Sequence, residues 1–385
     1  MNFDVTAPGH ILPFHEGTMR KGNNILCCAV NLRVHLSFKE VKKEMFELHL
    51  ENYKHTVTYS YDDFKTNLLA HLPHPGSNYS WETPELIDIN KIMPLVIEFV
   101  NSITPTKLQD LIHEFALYDF FLIAACIMCS VNVEFEPFAV FIKSDIPSGI
   151  IVDSSSAHSV CIAAAFVHYL RLLALKSGKL NEDISKPTYK SSKISQFISD
   201  AFDVNEKYII FKWSCLSEKL IPRDIYGIGS SISTYGEMIK FTKGVNEFRP
   251  SLRPLSHVKV IKILIIDSGV KPNTKLMNKE LEEFAKTFPD IMEPISMLQE
   301  TLSNLAVGFL TDTMDRVEDK KLLELDIGFI MDLDHTLYTA MNLTNPELDD
   351  VYNIVTKSGF KGRAYGPGIG GCFVVYLADD SEEQN

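Results

Sequence analysis

A Pro147-Ser148-Gly149 turn leads through Ile150, Ile151 and Val152 to Asp153 and three serines, Ser154, Ser155 and Ser156, which open a long apolar helix to about Leu175. This junction constrains the fold more than any other segment. Small residues at a helix start leave backbone N–H groups bare, and the positive end of the helix dipole adds to them. Such an end binds anions. The layout is that of a phosphate-binding loop, but its contents depart from one. Loops of that kind favour glycine, because the backbone approaches the phosphates closely. Here bulky Ile151 and Val152 occupy the loop, and Asp153 puts negative charge where phosphate would lie.

The rest of the composition leaves any phosphate site to act locally. Lys plus Arg is 37 and Asp plus Glu is 50, so the net charge is −13. That balance gives no general attraction for nucleic acid or an anionic membrane, and neither is expected as a partner. The seven cysteines are scattered and mostly lie among apolar neighbours, where free cysteine acts as a small hydrophobe. Cys126 and Cys129 have CxxC spacing inside an apolar helical run with no second such pair, which favours core over metal or redox chemistry. The N-terminus does not read as a secretory signal, and the apolar run Phe120–Val131 is too short to span a bilayer. A reduced, cytoplasmic setting is expected.

Hydrophobic periodicity predicts a strand over 3–9, then a strand pair or helix-to-strand passage over Asn24–Phe38. Residues 51–85 read as a loop-rich excursion with a short helix at Tyr61–Leu72. Helices are predicted at Ile89–Ser102, Lys107–Ser130, Ile194–Phe202 and Asn205–Lys219, with a strand over Val131–Lys143. Further on, Val258–Asp267 reads as a strong buried strand. Helical patterns follow at Asn278–Arg316, Glu318–Met341 and Pro346–Lys357, then a glycine-rich turn and strand over Ala364–Leu377. The composition shift near 220–236 suggests two domains, 1–228 and 229–385, with the phosphate loop in the first.

Together these segments resemble the GHMP kinase superfamily, and within it the mevalonate kinases. Ala7–Gly17 aligns with the first family motif, Ala-Pro-Gly-Lys followed by Gly-Glu-His, and continues to Asn31-Leu32-Arg33. Pro147–Ala157 aligns with the second motif and carries on through Ser159-Val160-Cys161. Lys212-Trp213 and Glu218 resemble the helix that supplies a magnesium-binding glutamate, and Ser233-Thr234-Tyr235-Gly236 resembles the segment after the catalytic loop. Tyr365–Cys372 matches the third motif at five of eight positions.

The resemblance implies an α+β, two-lobed GHMP kinase fold with a ribosomal S5-like N-terminal lobe and a ferredoxin-like C-terminal lobe. It implies ATP and Mg2+ as cofactors, mevalonate as the small hydroxy-acid substrate, and a homodimer as the expected assembly. ATP would lie on Gly149, Asp153, Ser154, Ser155 and Ser156, and the metal on Ser155 and Glu218. Glu16, Gly17, His158 and Gly366 fall at substrate-binding positions. His158, one turn into the helix, could point at a ligand, but a packed or solvated helix-surface histidine is the commoner case.

The departures fall on the chemistry. The family's catalytic aspartate aligns with Gly229, its neighbouring lysine with His10, and a mevalonate-binding histidine with Gly17. Loss of a positioned base typically costs a factor of about 10² to 10⁴, and loss of a neighbouring cation adds to that. Asp153 either caps its own helix, blocking the anion site, or meets ATP through a cation. Asp224 replaces the lost aspartate only if the loop is rearranged. The expectation is a mevalonate-kinase-like protein with impaired or lost phosphoryl transfer. The alternatives are a non-catalytic pseudokinase that binds a ligand or partner, and a GHMP kinase for another small molecule.

Overall fold

The computed structural model describes residues 1–12, 24–42, 44–72, 81–104, 111–131, 135–147, 154–177, 202–220, 227–242, 251–255, 258–271, 273–311, 326–365 and 371–377. The chain divides into two units. The first comprises Met1–Gly9, Asn31–Ile146 and Ser154–Tyr235; the second comprises His10–Val30, Pro147–Asp153 and Gly236–Asn385.

In the first unit, strands pair in the order β4 (His55–Ser60), β3 (Met45–Leu50), β5 (Phe138–Ser144), β2 (Asn24–Glu40), with β1 (Asn2–Ile11) also on β2. The β3–β5 pair is parallel; β3–β4 and β2–β5 are antiparallel. The segment over 24–38 is thus one long strand, neither a pair nor a helix-to-strand passage. Its alternation places Val34, Leu36 and Phe38 inward. Part of the excursion at 51–85 is the second strand of a hairpin, turned through Lys54 with positive φ. The polar residues that suggested loop, such as Thr56 and Thr58, are exposed on alternate positions of β4. The short helix predicted there is α1 (Tyr61–Asn67), capped by Ser60, whose side chain accepts the Asp63 N–H.

Helices α2 (Ile89–Ile103), α3 (Leu111–Ser130), α4 (Ser154–Ser177), α5 (Val204–Glu218) and α6 (Ile228–Tyr235) complete this unit. A helix apolar on all sides must be surrounded, and α3 is, from Phe120 to Met128. By length and composition α3 and α4 could each cross a bilayer, but most of each is buried in the folded unit. Phe38, Phe138, Phe166 and Tyr169 meet between sheet and α4 in tilted and edge-on contacts, with ring centroids 4.7–6.4 Å apart.

In the second unit the start of β2 pairs with β6 (Met238–Thr242), which pairs with β7 (Ser251–Pro254). A further antiparallel sheet runs β8 (Lys262–Asp267), β10 (Cys372–Leu377), β9 (Lys361–Tyr365). Helices α7 (Thr274–Thr287) and α8 (Pro289–Leu310) pack with α9 (Ile327–Ala340), and α9 and α10 (Pro346–Lys357) pack on the sheet. The run 258–267 is not the deeply buried strand its composition suggests. β8 pairs only with β10 among the described strands, and Val260 and Leu264 are exposed. Gly362 is required on β9, where a Cβ would lie 2.3 Å from the Val374 carbonyl oxygen. Arg363 and Asp334 form a fully buried ion pair at 2.5 Å. The helix predicted over Ile194–Phe202 lies outside the described residues but for Phe202.

Candidate functional site

The apolar sequence that begins at Ala157 buries most of α4 as far as Leu170, and this fixes where its N-terminal serines sit. Ser154 and Ser155 are half-buried in the first turn, and Ser156 is buried. The sequence predicted this helix start; Gly149 and Asp153 lie outside the described residues, as do Glu16, Gly17, Asp224 and Gly366.

α5 is anchored at both ends. Asp203 and Glu206 form a reciprocal capping box at its start, and Arg171 of α4 reaches Glu206 at 3.2 Å. Further along, the Trp213 Nε1–H donates to the Trp81 carbonyl at 3.1 Å, and Lys212 pairs with Glu85 at 3.1 Å. These contacts leave Glu218, in the last turn, buried. Its two carboxylate oxygens accept backbone N–H groups of the turn into α6: Oε1 takes Ser230 at 2.7 Å and Oε2 takes Gly227. Gly227 has φ +88°, a conformation that side chains disfavour. The glutamate therefore caps the helix on which Gly229 lies, and Gly229 brings no functional group there.

The Cys215 thiol is one turn before Glu218. Burial raises its pKa well above the ordinary thiol value, and the charge of Glu218 adds to that. Cys215 is thus a neutral thiol. The Cys126 and Cys129 thiols are likewise raised, chiefly by burial, Cys129 to about 11, in keeping with their core assignment.

Sequence reasoning missed the polar centre behind these elements. Asp119 of α3 is fully buried. Its Oδ1 accepts the Ser217 hydroxyl; its Oδ2 is reached by the His158 Nδ1–H and the Ser159 hydroxyl, each at 2.8 Å. The Nε2 of His158 is buried and has no hydrogen-bond partner among the described residues. The available signal was a lone aspartate in an otherwise apolar helical run, since a buried charge demands donors.

His10 is buried near the end of β1. No group of three or more His, Cys, Asp or Glu side chains among the described residues is placed to hold a metal. A single carboxylate and a hydroxyl nevertheless suit Mg2+, which keeps several waters and takes further oxygens from substrate phosphates. On Glu218 both carboxylate oxygens already accept backbone amides. The donors are oxygens, the type the ion takes.

No protein-family model matches the chain. Its sequence is 24% identical to the mevalonate kinase of Candida albicans over 390 residues, covering 99% of this chain and 83% of the relative. It is 24% identical to that of Dictyostelium discoideum over 388 residues, covering 98% and 88%. Among solved structures, Methanococcus jannaschii mevalonate kinase superposes with a TM-score of 0.62 at 15% identity, covering 100% of this chain and 93% of that one. L. major mevalonate kinase in complex with R-mevalonate gives 0.60 at 12%, covering 99% and 89%. The fold is that of the two-lobed GHMP kinases. Along nearly its whole length the sequence is similar to mevalonate kinases.

Proposed function

We propose that this chain descends from ATP-dependent kinases that phosphorylate the hydroxyl of mevalonate, and that its own phosphoryl transfer is impaired or lost. The observation that carries the reading is the Glu218 carboxylate capping α6 while Gly229 stands at the family's aspartate position. Ser155 and Glu218 would hold Mg2+, and the first-turn amides of α4 would receive phosphate oxygens. Bound Mg–ATP supplies a γ-phosphoryl group open to in-line attack. The chain's own residues orient and hold; none at position 229 takes the proton of an attacking hydroxyl. Positioning alone carries much of phosphoryl transfer, so the loss is graded.

Glu16, Gly17, His158 and Gly366 are the proposed substrate contacts, and a cytoplasmic homodimer is the proposed setting. A second reading, a non-catalytic module that binds a ligand or partner, is favoured by Gly229 together with the buried His10 at the family's lysine position. The loss of the substrate histidine at Gly17 favours a different small-molecule acceptor. A coupled ADP-release assay with mevalonate, ATP and Mg2+ tests these. Turnover at an ordinary kinase rate of about 1–100 per second overturns impairment. No thermal shift with millimolar Mg–ATP selects the non-catalytic module.

A further inference from the structure

Ser155 and Glu218 lie on different helices, and both helices are fastened to one carboxylate on a third. Ser217, which donates to Asp119 Oδ1, immediately precedes Glu218. His158 and Ser159, which reach Asp119 Oδ2, lie one turn beyond Ser155. The Ser159 hydroxyl is also 2.9 Å from the Ser155 carbonyl oxygen, so it lies against the first turn of α4 itself. From Glu218 the connection continues to the amides of Gly227 and Ser230, hence to the start of α6.

We propose that Asp119 is a positioning residue that sets the first turn of α4 against the last turn of α5, and so sets the Ser155–Glu218 pair. The metal part of this inference rests on the function proposed above. Packing alone does not require a carboxylate at position 119. Its neighbours Phe120, Phe121 and Leu122 are fully buried hydrophobes, and an apolar side chain there would avoid the desolvation of a charge. A carboxylate accepts hydrogen bonds in fixed directions, and here it accepts them from both helices that carry the proposed ligands. Hydrophobic contact is non-directional and fixes no such relation.

The test uses the full chain, with Asp119→Asn and Asp119→Leu compared with the parent. Amide hydrogen exchange is read across residues 154–160 and 215–231, with β9 and β10 as internal reference. Asp119→Asn should speed exchange of the Gly227 and Ser230 amides and of the first turn of α4 by about tenfold, leaving β9 and β10 unchanged. Asp119→Leu should show the same local loosening even where its melting temperature equals the parent's, which a purely structural role would not produce. Titration with Mg–ATP should show affinity falling about tenfold in both variants, the loss of a partly directional contact worth one decade. Unchanged exchange at 154–160 and 227–231 in both variants overturns the proposal. Accelerated exchange in a protein whose parent binds no Mg–ATP overturns the metal reading and supports the positioning role.

Discussion

Glu218 Oε1 accepts the backbone N–H of Ser230 at 2.7 Å, across the turn that carries Gly229. The glutamate that aligns with the family metal position thus holds a helix start. Glu218→Ala should strand two buried donors, Gly227 and Ser230, at about 1–3 kcal/mol each. Glu218→Gln retains one acceptor oxygen and should lose about half as much. Urea denaturation followed by circular dichroism measures both.

Gly229 stands at the position proposed to lack the family's aspartate. Gly229→Asp, combined with His10→Lys, should raise ADP release with mevalonate by about 10²-fold or more if the alignment register is right. An aspartate in the first turn of α6 is favoured by the helix dipole, although Glu218 nearby opposes a second charge. No increase in the steady-state rate would reject the register.

His335 should make the protein acid-sensitive. Burial, and secondly the charge of Arg363, hold its pKa down at about 4 against an ordinary 6.5. Its Nδ1 accepts the Ala364 N–H at 3.2 Å, a bond that needs an unprotonated nitrogen. Between these two pKa values the unfolded chain binds the extra proton. Stability from this group is therefore full above pH 6.5 and is lost as pH falls toward 4, by at most about 3 kcal/mol. Denaturation midpoints of the parent and His335→Asn between pH 7 and pH 4 should diverge above and converge below.

Arg363 and Asp334 are both fully buried, with Gln299 also donating to Asp334 at 3.1 Å and the guanidinium 4.7 Å from the Tyr338 ring. Arg363→Met leaves a buried carboxylate short of its cation and should cost about 3–5 kcal/mol. The double variant Asp334→Leu with Arg363→Met should recover most of that loss in chemical denaturation.

The three thiols of Cys126, Cys129 and Cys215 should resist alkylation in the native protein, since the thiolate is the nucleophile and burial suppresses it. Titration with a thiol reagent should count them only after denaturant is added.

Elements with strong one-dimensional signals were readable in advance. α5 and α10 were predicted within a residue or two of their ends, because capping residues and apolar spacing agree there. β4 was not, because its outward positions are polar and its inward ones few. β8 was overrated because its composition suits a covered strand, while its neighbours decide its exposure. At the proposed site, the resemblance points to Ser155 and Glu218. Asp119, Ser217 and the amides of Gly227 and Ser230 could not, since their partners lie up to 98 residues away and no local pattern encodes such pairings.

The two units interleave along the chain. The path leaves the first unit after Gly9, re-enters it at Asn31, and leaves it again for Pro147–Asp153. β2 contributes pairs within each unit, through Asn24–Cys28 and through Val34–Glu40. No single cut therefore yields either unit as a continuous piece. A truncation, a fusion joint or a recombination breakpoint that spares one must sever the other, so the lobes cannot be exchanged as modules and must be inherited together.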